Sequence, residues 1–199
     1  MNGQVLEKIS QSGEAVFDIY DKLSSSRTLF ITDYIYDETA SGIVATLLIL
    51  DKMSNEQITI ILNSEGGDIQ DILSIYDAMN LTKSPIKVIC VGSAMEQTPL
   101  ILAAGAKGMR LATQNAVIAP SKMFYDKPSF SDLTDAQITM DQIKNYNKTY
   151  ISCLAKHCGK KVADLEKDLH QTKFMSSPEA VKYGIIDTVI KNGKSKETK

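Results

Sequence analysis

The chain is poor in residues on which several protein classes depend. Its 199 residues include no tryptophan, two histidines and three cysteines, which are Cys90, Cys153 and Cys158. An odd, small number of cysteines argues against a disulfide framework and for a reducing compartment. The longest apolar runs, such as Ile43 to Leu50, fall far short of the about 20 residues that cross a bilayer. The N-terminus also lacks a basic-then-apolar signal pattern, so we expect an unsecreted cytoplasmic protein without a membrane partner.

No strong charge of either sign is present. Twenty-two basic and 24 acidic residues give a formal net charge of -2, which supplies no positive field for nucleic acid. The hydrophobic share of 43% and the length are enough for one sizeable core. We therefore predict a single domain over residues 1–190, followed by a polar, disordered tail over 191–199.

Strand-like and helix-like patterns alternate along the chain. The apolar run Ile58 to Leu62 predicts a buried strand, and helical spacing of apolar residues follows from Asp68. The same patterns predict further strands over 28–32, 86–91, 109–113, 116–119 and 185–190, and helices over 15–23, 39–53, 100–106, about 133–157 and one ending before Gly184. Thr98 is predicted to cap the helix that begins at Pro99. This alternation indicates an α/β fold with a mostly parallel sheet, whose sites form at the carboxyl ends of strands.

Two strand ends carry unusual residues. Gly66-Gly67 follows one buried strand, where missing β-carbons and free helix N–H groups could cradle an anion. An ordinary tight turn explains the glycines equally, and no dinucleotide or P-loop spacing accompanies them. Ser93 follows the next strand, at a position where some hydrolases present a nucleophile, although serine is also common in plain turns.

Several segments together carry a resemblance to a known family. They occur in the family's order over roughly residues 13–190, and they include Phe17-Asp18-Ile19-Tyr20, Asn63-Ser64-x-Gly66-Gly67, Ile75-Tyr76-Asp77-x-Met79, Ile89-Cys90-x-Gly92, Leu102-Ala103-Ala104-Gly105-Ala106-Lys107-Gly108-x-Arg110, Leu154-Ala155-Lys156-His157 and Tyr183-Gly184-Ile185-Ile186-Asp187. The chain thus resembles the ClpP family, the peptidase subunits of ATP-dependent Clp proteases.

The resemblance implies an architecture and partners. We expect ClpP/crotonase-like repeated β-β-α units, an N-terminal axial segment over 1–14, and a handle region over about 121–157 that contains a long helix. It also implies heptameric rings stacked into a tetradecamer, which an AAA+ unfoldase feeds with polypeptide. Active members cleave peptides with a Ser-His-Asp triad, and no cofactor or metal is implied.

The triad positions depart from the family pattern. Aligned with the flanking motifs, the positions of serine, histidine and aspartate carry Glu96, Ser121 and Thr172, whereas the oxyanion donors map to the backbone of Gly67 and Gln97. The chain therefore resembles the catalytically inactive ClpR-type paralogues. We predict a non-catalytic subunit that forms or modifies a Clp barrel with its own copies, with an active ClpP paralogue and, directly or indirectly, with the unfoldase. A bacterial cytoplasm, a plastid stroma or a phage-infected cell would each suit it.

Other residues typical of the family are also replaced outside the triad positions. The stretch around Tyr125 to Pro128 replaces the family's Gly-Gly, and proline removes a backbone donor that could pair with substrate. Thr59 and Ile61 stand where the family often has tyrosines in its unfoldase-docking pockets. The resemblance therefore puts both substrate pairing and direct unfoldase docking in doubt.

Other readings remain open from the sequence. A relocated nucleophile at Ser93 or Ser121 could use His170 as base, since that histidine lies two residues before Thr172. Crotonase-like acyl-CoA enzymes share the general fold, which makes an acyl-CoA-binding protein a further alternative.

The other titratable groups suggest structural roles. His157 lies near the end of the long helix, where its charged form would suit the helix dipole. Its spacing from Cys153 and Cys158 is poor for a metal site. Glu96 could either place its carboxylate where an oxyanion would be held, beside the amides of Gly67 and Gln97, or stand as a solvated glutamate.

Overall fold

A computed structural model describes residues 4–10, 13–18, 23–123 and 132–191. Within these ranges no helix is both long and apolar enough to cross a membrane. The loop over 125–128 and the predicted tail from residue 192 lie outside the described residues, as do residues 1–3 and 11–12 of the expected axial segment.

A mostly parallel sheet forms the centre of the molecule. Its order is β3 (Thr28–Ile35), β4 (Ile58–Gly67), β5 (Ile86–Glu96), β6 (Arg110–Thr113) and β9 (Thr188–Ile190), and neighbours along this path are parallel. The second half of β5 leaves β6 and pairs instead with β7 (Val117–Pro120), which pairs antiparallel with β8 (Met175–Ser176). A separate antiparallel pair joins β1 (Gln4–Ser10) to β2 (Gly13–Asp18). The predicted α/β fold is confirmed.

Helices connect and cover the strands. They are α1 (Asp37–Met53), α2 (Ile69–Leu81), α3 (Pro99–Ala103), α4 (Leu133–Cys158), α5 (Val162–Asp168) and α6 (Ser177–Tyr183). The long helix α4 begins where the Asp132 carboxylate accepts the N–H groups of Thr134 and Asp135, and it ends at Gly159, whose φ of 65° is left-handed. Only its C-terminal half is buried: Tyr150, Ile151, Leu154 and Ala155 pack into the core.

Three local predictions are wrong wholly or in part. Residues 15–18 belong to strand β2 rather than to a helix, because they pair with β1. Thr98 is the N-cap residue of α3 before Pro99, as expected, but its hydroxyl donates to the Met95 carbonyl at 2.6 Å and makes no capping bond. Strand β5 continues to Glu96 instead of ending at Val91, since pairing with β7 satisfies its backbone.

An ion pair ties the last strand to the core. The guanidinium Nε of Arg110 donates to Asp187 at 2.9 Å, and its Nη1 donates to the carbonyls of His157 and Gly184 at 3.1 and 3.0 Å. Arg110 therefore joins β6 to the ends of α4 and α6. The same guanidinium, with backbone N–H groups, holds the pKa of Asp187 below its ordinary value.

Candidate functional site

The end of β5 presents Glu96 in a special backbone conformation. Its φ of 54° lies in the left-handed region, which is uncommon for a non-glycine residue. The Glu96 carbonyl accepts the Ser121 N–H at 2.9 Å and the Tyr150 hydroxyl at 3.2 Å. Two elements distant in sequence therefore hold this strand end in place, and Tyr150 is wholly buried while doing so.

The glycine pair at the end of β4 lies directly against Glu96. A β-carbon on Gly66, whose φ is 150°, would collide with the Glu96 carboxylate, and one on Gly67 would meet the Ile35 carbonyl oxygen at 2.5 Å. The Glu96 carboxylate therefore lies against the backbone of Gly66. A tight turn alone therefore does not explain these glycines. Each also leaves space for a close neighbour, which is the Glu96 carboxylate at Gly66 and the Ile35 backbone at Gly67.

A buried serine braces the glycine turn. The Ser64 hydroxyl donates to the Asp33 carbonyl at 2.5 Å and lies 3.0 Å from the Gly66 carbonyl oxygen. The Gly66 N–H donates back to the same hydroxyl at 3.3 Å. This role of Ser64 was not predicted from the sequence. The one indication of it was the position of Ser64 within the Asn63-Ser64-x-Gly66-Gly67 motif.

Electrostatics around Glu96 reflect partial burial. Burial raises the pKa of Glu96 above its ordinary value, and the hydrogen bond from Gly67 offsets only part of that rise. Its residue is nevertheless partly exposed to solvent. Burial, with Glu96 and Asp68 as nearby negative charges, also raises the pKa of Tyr34. These three groups and Lys122 line a small cavity of about 170 Å³ beside Gly67. Tyr34 and Lys122 were not expected from the sequence, because strand and loop positions give no signal of which side chains converge.

The other triad positions lie at the same strand ends. Ser121 follows β7 and is buried, and its carbonyl accepts the side-chain amide of Gln97 at 3.1 Å. Thr172 is exposed, and the N–H of the next residue, Lys173, donates to the Pro120 carbonyl at 3.2 Å. The structure therefore brings Glu96, Ser121, Gly67 and Gln97 together, with Thr172 beside them along the backbone.

The alternative nucleophiles are not hydrogen-bonded to a histidine in the described part of the chain. Ser93 lies earlier on β5, where its N–H and hydroxyl both contact the Asn63 side-chain oxygen, at 3.0 and 3.3 Å. His170 is exposed on the turn after α5. Throughout the described ranges, His170 makes no hydrogen bond to Ser93 or Ser121, so the histidine-activated pair suggested by the sequence is not assembled here.

The second histidine is held inside the structure. His157 Nε2 lies 3.2 Å from the Tyr76 hydroxyl, and the two rings meet edge to face. Burial, followed by the charges of Lys156 and Arg110, lowers the pKa of His157. These effects act against the helix end, which by itself favours the charged form. Burial also raises the pKa of Cys158 to about 11 and that of Cys90 to about 12, which makes both thiols poor nucleophiles.

The fold and site together define a class of protein. A parallel α/β core sets a strand-end turn against a glycine cradle of backbone donors, which is the framework of an acyl-transfer hydrolase. Comparison with known proteins agrees. The family model described as Clp protease matches residues 11–193. The chain is 32% identical over 185 residues to the ATP-dependent Clp protease proteolytic subunit 1 of Cutibacterium acnes, covering 92% of this chain and 86% of that protein. The chain therefore belongs to the Clp protease family, and the resemblance noted in the sequence is confirmed.

Proposed function

We propose that this chain is a catalytically silent subunit that forms or modifies the barrel of an ATP-dependent Clp protease. The observation that carries the proposal is the identity of the residues at the catalytic positions. Glu96 occupies the strand-end turn, buried Ser121 lies beside it, and exposed Thr172 follows. None of these three side chains is a histidine, the residue that takes the nucleophile's proton in a Ser-His-Asp triad.

The scaffold supports an assembly role. The sheet, the glycine turn and the long helix α4 are retained, and the part of α4 near its start is exposed, with Leu133 at 90%. An exposed apolar residue on a protruding helix suits contact with another subunit. By the family resemblance, the partners are copies of this chain, an active proteolytic subunit in a mixed heptameric ring, and an AAA+ unfoldase.

The first test measures covalent labelling of an assembled particle. Native mass spectrometry would establish ring formation, and intact mass after treatment with a fluorophosphonate probe would then report any activated serine. An active Clp proteolytic subunit serves as the positive control. An unlabelled ring is the expected result, whereas a label mapped to Ser93 or Ser121 would establish a relocated active site and overturn the proposal.

A second measurement tests the assembly role. Co-expression with an active Clp proteolytic subunit should yield mixed particles by native mass, or rings of this chain alone. Failure to form any ring under both conditions would contradict the proposal. An increase of the melting temperature with acyl-CoA compounds would instead favour the crotonase-like alternative.

A further inference from the structure

We propose that a pocket between α6 and β9 binds an extended, acidic peptide segment of a partner protein, which adds a strand to the outer edge of β9. The peptide's main chain would pair with that edge, an apolar side chain would enter the pocket, and acidic side chains would meet the lysines beside it. The proposal goes beyond the silent-subunit function and does not rest on it, because the pocket contains none of the triad positions.

The pocket is a broad hollow with apolar walls beside the last strand of the sheet. Its volume is about 860 Å³, and the residues that line it include Pro178, Val181, Lys182, Thr188, Val189 and Lys191. Pro178 and Val181 come from α6, whereas Val189 comes from β9. Val181 is 36% exposed, so the described residues leave it partly uncovered. Apolar walls with a few charged groups beside them are typical of a binding site of this volume.

The outer edge of β9 offers backbone groups to a further strand. On its inner side β9 pairs with β6, and no strand of the described residues pairs with its other side. An unpaired edge of this kind presents N–H and C=O groups that another chain can bond. Because Thr188 and Val189 of β9 also line the pocket, a peptide paired with this edge would hold alternate side chains over the pocket.

The charged groups of the pocket favour an acidic peptide. Lys182 and Lys191 are exposed, and neither forms an ion pair with a carboxylate of the described residues. The carboxylate in the pocket lining belongs to Asp187, which accepts Arg110 Nε at 2.9 Å and the Gly108 N–H at 2.8 Å. Its charge is therefore already balanced within the fold. The two lysines leave a positive surplus, which complements acidic side chains.

The binding test uses the full-length chain and a defined peptide. The probe is Glu-Glu-Val-Glu-Glu with an N-terminal fluorescein and a C-terminal amide, and fluorescence anisotropy measures its binding. We expect saturable binding that weakens as salt is added, because salt screens the exposed lysines. Peptides with asparagine in place of valine, or with lysines in place of the glutamates, should bind about tenfold more weakly or worse. Equal binding of all three peptides would overturn the proposal.

Matched substitutions on two short helices locate the binding. On α6, Val181→Asp places a charge in the apolar wall and Lys182→Glu reverses a charge, and each should weaken binding by about tenfold or more. On α5, Val162→Asp and Lys167→Glu make the same changes outside the pocket lining and should leave binding unchanged. All four positions are exposed, so each variant should keep its fold, which circular dichroism checks. Equal losses on the two helices, or no loss on α6, would overturn the proposal.

Methylation of the peptide backbone tests the strand pairing separately. Successive residues of an extended peptide direct their N–H groups to opposite sides, so only alternate N–H groups can face β9. Two further probes, N-methylated at the valine or at the glutamate after it, therefore block opposite sides of the peptide. One of them should bind about tenfold more weakly than the other, because it loses a hydrogen bond to the edge. Equal affinities of these two probes would overturn the addition of a strand.

Two other results would assign the pocket to a different occupant and overturn the proposal. If the peptide binds only to a chain that lacks residues 192–199, the chain's own tail competes for the pocket. If Val181→Asp abolishes ring formation by native mass while Val162→Asp does not, a second copy of the chain covers the pocket. Neither result depends on fluorophosphonate labelling, so this proposal and the silent-subunit assignment can fail separately.

Discussion

Glu96 is exposed to solvent, yet its carboxyl group lies against the Gly66 backbone. Burial raises its pKa, and the Gly67 N–H compensates only in part. A raised folded-state pKa means that folding favours the protonated form. Its contribution to stability is therefore full below the unfolded-state pKa and is lost as the pH rises through the folded-state value.

Glu96→Gln should consequently stabilise the protein at neutral pH. The substitution keeps the shape and an acceptor for Gly67 while removing the charge that burial disfavours. Because the side chain retains solvent contact, we expect a rise in melting temperature on the order of 1 °C at pH 7. The difference should vanish below about pH 4, where the wild-type carboxyl is protonated in both states. Thermal unfolding followed by circular dichroism measures it, with Glu65→Gln as the control; a less stable Glu96→Gln at pH 7 would contradict the argument.

Single glycines in this chain also differ in what surrounds them. Gly42 lies within α1 with no neighbouring atom within 4 Å of an added β-carbon, whereas Gly67 stands against the Ile35 backbone. Gly42→Ala should raise the free energy of unfolding by about 0.5–1 kcal/mol, as is usual for an exposed helical glycine. Gly67→Ala should lower it by about 1–3 kcal/mol, because the strand and turn must separate to admit the methyl group. Urea denaturation measures both, and equal effects at the two positions would refute the close-approach argument.

At the scale of elements, one side chain joins three chain segments. Arg110 on β6 contacts Asp187 before β9 and the carbonyls that end α4 and α6. The Arg110 and Asp187 side chains are only 12% and 18% exposed. The contact therefore differs from the surface pair of Lys144 with Asp141, whose side chains are 67% and 54% exposed.

Arg110→Met should be among the more damaging substitutions outside the apolar core. It removes the guanidinium from a partly buried carboxylate, which keeps only backbone donors, and from the carbonyls of His157 and Gly184, so we expect a loss of about 2–4 kcal/mol in unfolding free energy. Lys144→Met should change it by less than about 0.5 kcal/mol. Since the folded-state pKa of Asp187 is lowered, the wild-type advantage should be present above its unfolded-state pKa and decline as the pH falls through the folded-state value. Denaturant titrations at several pH values test this, and similar losses in the two variants would count against it.

At the scale of the whole molecule, the site depends on several distant segments. β4 supplies the cradle, β5 supplies Glu96, the segment after β7 supplies Ser121, and α4 supplies Tyr150. A proton-accepting histidine is not brought to this place by the described segments. Placing a single catalytic residue of the family in this chain should therefore not give it peptidase activity.

Glu96→Ser should remain inactive toward a fluorogenic peptide and unlabelled by a fluorophosphonate. A serine needs an adjacent base to become nucleophilic, and Ser121 and Thr172 supply none. The matched variant Glu96→Ser/Ser121→His/Thr172→Asp places all three family side chains on the same backbone. Activity of the single variant at the level of an active Clp subunit would show that another base operates and would refute the argument that the site lacks one.

Local sequence patterns determined a large part of the fold. Apolar runs such as Ile58 to Leu62, the capping pair Ser176 and Glu179, and Gly184 at a helix end specify elements through neighbours a few residues away. The substitution of Glu96 at the nucleophile position is likewise readable from the flanking motif alone. The family and the identity of the altered residues therefore follow from sequence.

Only the tertiary structure decided what those residues contact. The approach of the Glu96 carboxylate to Gly66 and the bond from the Tyr150 hydroxyl to the Glu96 carbonyl depend on segments far apart in the chain. So does the lack of a hydrogen bond between His170 and either serine in the described residues. Residues 15–18 became a strand through pairing with β1, and burial with nearby cations lowers the pKa of His157. The spacing of apolar residues along the chain does not predict such contacts. They form only when tertiary packing brings together backbone groups and charged side chains that are far apart in sequence.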